Sequence, residues 1–405
     1  AAPADGQAAG AGAAPADGPA DPAGDPDQLF QAGDFAAAER GYARLWRTDP
    51  GNAHAAAQLG YLNLLSNRFA PAEHYLGQAL RLAPGDALSR ARLADCFVRQ
   101  DAFARAVPLL PEAQAAQLSA VTGPPNEVRG AQATRVPFVD LDPLPRVEAS
   151  VNGAAPGAFV LDTGASGLLL TAEAAAGAGL RAVSSATSGI NGRMVTTYLG
   201  VATSVRIGEI EMRNVPVSWA DGDALAFPDG VATAGTIGTT VLYHFLATLD
   251  YRGRALVLRR RTRTQQRAFR AEAARAALRP QPLWLADHLP CTLAKLDDYG
   301  PRVAVIDSGG IAHGLDTSAA NAERAGLAVD WSHPTPINGG TATVYPVDVD
   351  RMSIGDAVNR HVPGAVGPTP WEGMTRFETL GNFTHEFFKP FALTLDFAAM
   401  HLFVG

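Results

Sequence analysis

The feature that most constrains this fold is a long internal repeat. Motifs in the last third of the chain copy, in the same order, motifs from its middle, at separations that stay between 143 and 147 residues. Asp162 and Asp307 are 145 residues apart, and Thr248 and Thr394 are 146 apart. So many ordered matches with small drifts indicate a duplicated domain whose loops have gained and lost residues.

Each copy consists of short apolar or alternating segments that are broken by glycine and proline, such as 203–208 and 255–258. This pattern predicts β-strands. We expect a first mainly β lobe over 135–258 and a second over 281–405. The segment 259–280 between them holds eight arginines. We interpret it as a solvated linker helix, with a patch for an anionic surface as the alternative.

An apolar strand in each copy ends in a short aspartate motif, Asp-Thr-Gly at 162–164 and Asp-Ser-Gly at 307–309. The strand holds the carboxylate rigidly, the hydroxyl of Thr163 or Ser308 can hydrogen-bond to the other copy, and glycine allows a close backbone approach. A single motif of this kind usually marks a turn. Two at equivalent points of a duplicated domain predict that the carboxylates meet.

Two carboxylates about 3 Å apart cannot both ionise, so they share one proton. The ionised member can take a proton from water while the protonated member polarises a scissile carbonyl. This chemistry needs no metal and no cofactor. The motifs therefore predict Asp162 and Asp307 as a catalytic pair that hydrolyses peptide bonds.

Residues 135–405 resemble the aspartic protease superfamily, and each half resembles a bacterial retropepsin-like domain. The resemblance implies a two-lobed, pepsin-like arrangement in which one chain supplies both aspartates and works as a monomer. It implies active-site support from Thr163, Gly164, Ser166, Ser308 and Gly309. It implies substrate-binding flap residues at Ile190, Asn191, Gly192, Ile337, Asn338 and Gly339. It further implies that Thr236-Ile237-Gly238 and Thr379-Leu380-Gly381 thread beneath the site.

The second copy departs from the family pattern at one place. Gly310-Ile311 follows Asp-Ser-Gly where the first copy has Ala165-Ser166. A polar group at that place commonly braces the carboxylate in the family. The departure leaves open a degenerate second lobe.

Residues 28–117 form a second, shorter repeat with a period of 34 residues. Phe35, Phe69 and Phe103 mark its three units, and Pro50 and Pro84 close successive helical patterns. The period resembles the tetratricopeptide family of helical repeats. We expect these helices to recruit a protein partner or substrate, with a spacer that only packs against its neighbours as the alternative.

The N-terminal segment, the stretch before the first lobe and the net charge of the chain allow further predictions. Residues 1–27 are almost wholly Ala, Gly, Pro and Asp, which predicts a disordered tether, and 118–134 is expected to be a linker. A tether of this kind favours a periplasmic or secreted location, although no signal peptide is present in the sequence. The net charge of −7 disfavours a nucleic-acid partner, and no apolar stretch is long enough to span a membrane.

The sequence thus predicts a multidomain fold, with α-helical tetratricopeptide repeats followed by a mainly β, two-lobed aspartic protease fold. The predicted function is an aspartic endopeptidase that acts on a protein or peptide substrate. A catalytically inactive peptide-binding module and a tetratricopeptide scaffold are the alternatives. Turnover of an unstructured protein separates the first from the other two.

Overall fold

The computed structural model describes residues 24–190, 193–220, 232–337, 342–369, 371 and 373–405. A helical region over 26–119 precedes a mainly β region that contains two sheets, as the sequence predicts. None of the helices in these described ranges is long and apolar enough to cross a membrane. The helices of the first region are α1 Pro26–Gln31, α2 Phe35–Thr48, α3 Ala53–Leu65, α4 Phe69–Leu82, α5 Ala87–Val98, α6 Phe103–Ala106 and α7 Glu112–Ser119.

The helical region keeps the 34-residue period in three dimensions. Helices α2, α4 and α6 begin at Phe35, Phe69 and Phe103, and α3 and α5 begin 34 residues apart. Ala38, Ala72 and the equivalent alanine of α6 are fully buried, because only a small side chain fits where neighbouring helices approach closely. Aspartate or asparagine side chains cap α2, α3 and α5 at their N-termini. The predicted repeat is confirmed.

The β region contains two lobes whose elements follow in the same order. The first lobe comprises β1 Glu127–Gly130, β2 Ala133–Asp140, β3 Arg146–Val151, β4 Gly157–Asp162, β5 Leu168–Thr171, α8 Ala172–Gly177, β6 Ser184–Ile190, β7 Arg193–Ile207, β8 Ile210–Ala220, β9 Gly235–Gly238, α9 Thr239–Leu242, β10 Phe245–Asp250 and β11 Ala255–Arg260, and α10 Arg263–Arg275 follows. The second comprises β12 Gln281–Pro282, β13 Trp284–Ala286, β14 Leu289–Leu296, β15 Tyr299–Asp307, β16 Leu315–Thr317, α11 Ala319–Ala325, β17 Thr335–Ile337, β18 Ala342–Val349, β19 Met352–Ile354, β20 Ala357–Asn359, β21 Val362–Val366, β22 Asn382–Thr384, α12 His385–Phe388, β23 Ala392–Asp396 and β24 His401–Val404.

The two lobes share one sheet topology. The strand order β4-β9-β5-β8-β7-β6 in the first lobe corresponds to β15-β22-β16-β21-β18-β17 in the second. The directions also agree, because β4 and β15 run parallel to β9 and β22, while β5 and β16 run antiparallel to them. The sequence repeat is therefore a repeat of the fold.

The lobes join through a shared antiparallel sheet with the order β12-β24-β23-β10-β11-β2. At its centre β10 pairs with β23, and Thr248 lies opposite Thr394. The two hydroxyl oxygens are 2.8 Å apart. These residues are equivalent in the repeat, so the pseudo-twofold axis that relates the lobes passes between them.

The helical region packs on the second lobe through a continuous apolar core. Phe30, Phe35 and Tyr61 of the helices share this core with Val303 and Phe377 of the second lobe. The backbone of α1 also bonds to the second lobe, since the amide of residue 378 donates to the carbonyl of residue 31 over 2.8 Å. The helices are therefore part of the same packed body as the β region.

Some elements begin earlier than the sequence predicts. Helix α1 starts at Pro26, two residues inside the predicted tether, because Asp25 caps it and proline suits its first turn. Strand β1 lies inside the predicted linker 118–134 and pairs with β8. The predicted linker helix is present as α10, and its Phe269 is buried against the shared sheet while its arginines face outward.

Candidate active site

The two predicted aspartates lie at equivalent strand ends. Asp162 is the last residue of β4, and Asp307 is the last residue of β15. Each strand is covered on both faces, as its uninterrupted run of buried residues shows. Asp307 is buried and Asp162 is half-buried. The strands thus hold both carboxylates rigidly and leave one side of the pair open.

Thr163 and Ser308 lock the two strand ends together with four reciprocal hydrogen bonds. The Thr163 hydroxyl donates to the carbonyl oxygen of Ile306 over 2.8 Å and accepts from the Ser308 amide over 2.9 Å. The Ser308 hydroxyl donates to the carbonyl oxygen of Leu161 over 2.8 Å and accepts from the Thr163 amide over 3.0 Å. Both side chains are fully buried, so this network fixes the separation of the aspartates.

Each glycine of the two motifs faces the aspartate of the other lobe. A Cβ atom on Gly164 would collide with the carboxylate of Asp307, and one on Gly309 would collide with that of Asp162. The glycine amides are also used, because Gly164 donates to Asp162 and Gly309 donates to Asp307, each over 2.8 Å. The two glycines therefore permit the close approach that the sequence predicts.

The two carboxylates lie close enough to perturb one another's pKa values. Burial and the neighbouring charge of Asp307 raise the pKa of Asp162 well above its ordinary value. Burial also raises the pKa of Asp307, but hydrogen bonds to its carboxylate oppose that rise. Both pKa values are raised, so the pair holds one proton that the two carboxylates share.

Asn382 is a residue of the site that the sequence analysis missed. Its side-chain amide donates to Asp307 over 2.9 Å, and it is almost completely buried. In the repeat, β22 pairs with β15 as β9 pairs with β4, so Asn382 occupies the place of Thr236. The signal in the sequence was the separation of 146 residues, which also relates Thr248 to Thr394.

The same pairing corrects the predicted second threading segment. Asn382 to Thr384 lies beside the Asp307 strand, whereas the predicted 379–381 ends one residue before it. Gly235 and Gly381 are the true equivalents, with φ values of +155° and +158°. The prediction aligned 379–381 with 236–238 because both segments end in a glycine. The structural equivalent of 236–238 is 382–384, three residues later, and it has Phe383-Thr384 in place of Ile237-Gly238.

Ser166 does not brace the first aspartate. Ser166 is exposed, and among the described residues its hydroxyl makes no hydrogen bond to Asp162. The backbone amide of Ala165 donates to Asp162 instead, over 3.1 Å. Each lobe thus stabilises its carboxylate differently, through a second backbone amide in the first lobe and through the Asn382 side chain in the second.

Residues 147–241 match the family model for aspartyl proteases. These residues of the first lobe are therefore a domain of the aspartyl protease family. The matched range contains the first aspartate motif, the first hairpin and β9. The second lobe repeats that topology and supplies the other aspartate of the pair.

Two solved structures are similar to parts of this chain. One is a retropepsin-like aspartic protease from Rickettsia conorii, with 21% identity, 33% of this chain and 93% of that chain covered, and a TM-score of 0.24. The other is a mutant O-GlcNAc transferase from Thermobaculum terrenum, with 26% identity, 21% of this chain and 16% of that chain covered, and a TM-score of 0.20. No curated protein matches the chain. The assignment rests on the family match and on the geometry of the aspartates.

The predicted flap positions of the protease fall on two equivalent hairpins. Strands β6 and β7 pair up to Ile190 and Arg193, and β17 and β18 pair up to Ile337 and Ala342. The other four predicted flap residues, Asn191, Gly192, Asn338 and Gly339, lie outside the described residues. Met194 near the first hairpin tip is 72% exposed, so this hairpin presents an apolar side chain to solvent.

One group of potential metal ligands lies away from the aspartate pair. Atoms of Asp142, His385 and Glu386 come within 4.8 Å of one another. The ammonium group of Lys389 bonds to both carboxylates. Because this cation already neutralises the acidic pair, the group fits an internal ion pair better than a metal site.

The helical region reaches the loop that carries the first aspartate. Arg99, at the end of α5, donates to the carbonyl oxygens of Leu285 and Asp287 over 3.2 and 2.9 Å. The next residue, His288, bonds through Nε2 to the carbonyl oxygen of Gly164 over 3.0 Å. Two hydrogen bonds, joined by the peptide bond between Asp287 and His288, therefore connect the helices to the first aspartate motif.

Proposed function

We propose that this protein is an aspartic endopeptidase whose two catalytic aspartates come from one chain. The observation that carries the proposal is the reciprocal network of Thr163 and Ser308, which joins two equivalent strand ends and holds Asp162 beside Asp307. A duplicated domain with an unrelated role would have no reason to bury two like charges in contact. The match of residues 147–241 to aspartyl proteases supports the same conclusion.

We assign the two roles from the side-chain amide of Asn382, a donor to Asp307 with no side-chain counterpart at Asp162 among the described residues. Both carboxylates also accept from backbone amides, so Asn382 is the feature that favours Asp307 as the ionised member. Asp307 takes a proton from the attacking water as a general base. Asp162 carries the shared proton and donates a hydrogen bond to the scissile carbonyl oxygen. The water oxygen bonds to the carbonyl carbon, and the tetrahedral intermediate then collapses as the amine leaves with a proton.

The second lobe is proposed to be functional despite its altered motif. The side-chain amide of Asn382 donates to Oδ2 of Asp307. The polar group that holds this carboxylate therefore comes from β22 and not from the residues that follow the glycine. Asn382 also approaches Asp316 over 3.4 Å, which ties this brace to β16. The departure in sequence is thus balanced by a different side chain at the same carboxylate.

Turnover of an unstructured protein such as casein between pH 3 and pH 9 tests the proposal. We expect a bell-shaped profile, because the pair must hold one proton, and we expect inhibition by a statine-type mimic of the tetrahedral intermediate. The raised pKa of Asp162 places the alkaline limb well above 3.8. Tight binding of the mimic without turnover would identify an inactive peptide-binding module, and a flat profile would contradict a shared-proton pair.

A further inference from the structure

A large cavity lies between the helical region and the second lobe. Its volume is about 790 Å³. The helices contribute Phe30, Gln58 and Arg92 to its wall, and the second lobe contributes Asn321 and Trp371. This volume and this mixture of aromatic and polar walls are typical of sites that bind a ligand or a peptide side chain.

Arg92 in this wall is a largely buried cation that, among the described residues, stacks on an aromatic ring and makes no hydrogen bond or ion pair. It is 6% exposed, and its guanidinium lies 3.6 Å from the ring centroid of Tyr61. The nitrogens of Arg92 are not among the fully buried unpartnered atoms of the described residues, so they reach the cavity and can donate to an anion that enters it.

Arg99 on the same helical hairpin shows what a structural arginine looks like here. It is 9% exposed, nearly as buried as Arg92, and it bonds to Asp95 and to the carbonyl oxygens of Leu64, Leu285 and Asp287. Its two terminal nitrogens are therefore used for packing the helices on the second lobe, and its Nε has no hydrogen-bond partner among the described residues. Arg92 borders the cavity and does none of this.

The acidic residues of the cavity wall are already engaged. Asp86 caps α5, where it accepts from the Leu88 amide and from the Ser89 hydroxyl. Glu378 pairs with Arg302 over 3.1 Å. Burial lowers the pKa of Arg92, the charges of Asp287 and Asp86 oppose that fall, and the charge of Arg376 adds to it. Among the described residues of the wall, the three arginines Arg92, Arg324 and Arg376 outnumber the two acidic residues Asp86 and Glu378.

The position of the cavity relates it to the catalytic pair. Trp371 lines the cavity, and its ring lies 6.1 Å from the ring of His288 in an edge-to-face contact. His288 in turn bonds to the carbonyl oxygen of Gly164, beside the catalytic aspartates. Only two side chains separate the cavity from the first aspartate motif, which favours a segment of the substrate over a free ion as its occupant.

We propose that this cavity is an accessory site for an acidic peptide segment, with Arg92 as the residue that binds its carboxylate. The guanidinium presents a planar fork of donors that matches a carboxylate, and Phe30 and Trp371 supply apolar contacts for the rest of the segment. The carboxylate belongs to an acidic side chain or to a chain terminus. This inference rests on the proposed peptidase function and names a preference of that enzyme for acidic substrates.

Binding of three fluorescein-labelled peptides to the Asp162→Asn variant tests the site without turnover. The peptides share an Ala-Phe-Ala-Leu-Ala sequence and end in an amide, in a free carboxylate, or in an amide after two inserted internal glutamates. We expect at least one acidic form to bind about tenfold more tightly than the plain amide, since a hydrogen bond to a charged group contributes that much. The two acidic forms distinguish a terminal carboxylate from a side-chain carboxylate.

Arg92→Met in the same background should abolish the acidic preference, while Arg90→Met, at an exposed position of the same helix, should preserve it. Equal affinities for all three peptides, or a preference that survives in Arg92→Met, would overturn the proposal. The peptide comparison alone decides the matter if Arg92→Met does not fold. Cleavage of the same peptides by the parent protein is measured separately, so an acidic preference without cleavage would refute only the peptidase function.

Discussion

At the scale of single residues, the aspartate pair couples stability to pH. The pKa of Asp162 is raised in the folded protein, so the folded state keeps a proton that the unfolded chain releases above an ordinary value of 3.8. The free energy of unfolding therefore falls as pH rises through the interval between these two pKa values. Below that interval the contribution is fully present.

Asp162→Asn should remove this titration and make the free energy of unfolding less dependent on pH, with a higher value than the parent at pH 7. Urea unfolding at pH 4, 5.5 and 7 measures the effect. Asp356→Asn is the matched control, because the side chain of Asp356 is 70% exposed and the residue lies between β19 and β20, at the edge of the second sheet. An unchanged pH dependence in Asp162→Asn would show that the two carboxylates do not share a proton.

Sequence analysis identified the aspartates and the hydroxyls because their chemistry is carried by a short motif that occurs twice. It missed Asn382, since an asparagine among many becomes meaningful only when strand pairing places it at Asp307. It also assigned Ser166 a bracing role that a backbone amide performs. Backbone amides leave no signature in a sequence, so a contact of this kind cannot be predicted from residue types.

At the scale of elements, the helical repeats are joined to the protease more firmly than their sequence suggests. The 34-residue period predicts how the helices pack on each other, but it does not predict the partner for their outer faces. Phe30 and Tyr61 lie in a core with Phe377 of the second lobe. Deleting 1–117 would expose that core, so we expect the truncated chain to lose stability and, with it, the proposed peptidase activity.

Arg99→Met tests this attachment. The variant loses the bonds to Leu285 and Asp287 and leaves Asp95 without its partner, so we expect the free energy of unfolding to fall by about 3 kcal/mol. Arg92→Met is the matched control, because it removes a similarly buried arginine that only stacks on Tyr61 among the described residues and should destabilise the protein less. Equal losses of stability in the two variants, measured by urea unfolding, would contradict the distinction between them.

At the scale of the whole molecule, duplication makes the active site independent of a second chain. The equivalent strand orders, the shared sheet and the Thr248 to Thr394 contact place the pseudo-twofold axis inside one chain. Asp162 and Asp307 lie on opposite sides of this axis. A single molecule therefore contains both halves of the proposed catalytic pair, and its rate per molecule should not change on dilution.

The most direct test of an aspartate pair within one chain is the rate of casein cleavage by Asp307→Asn, alone and mixed in equal amounts with Asp162→Asn. The two carboxylates act as a unit, so each variant should lose about 10²- to 10⁴-fold in rate. Mixing should restore nothing, because neither molecule contains an intact pair. Full activity in Asp307→Asn, or recovery of activity in the mixture, would contradict an aspartate pair within one chain.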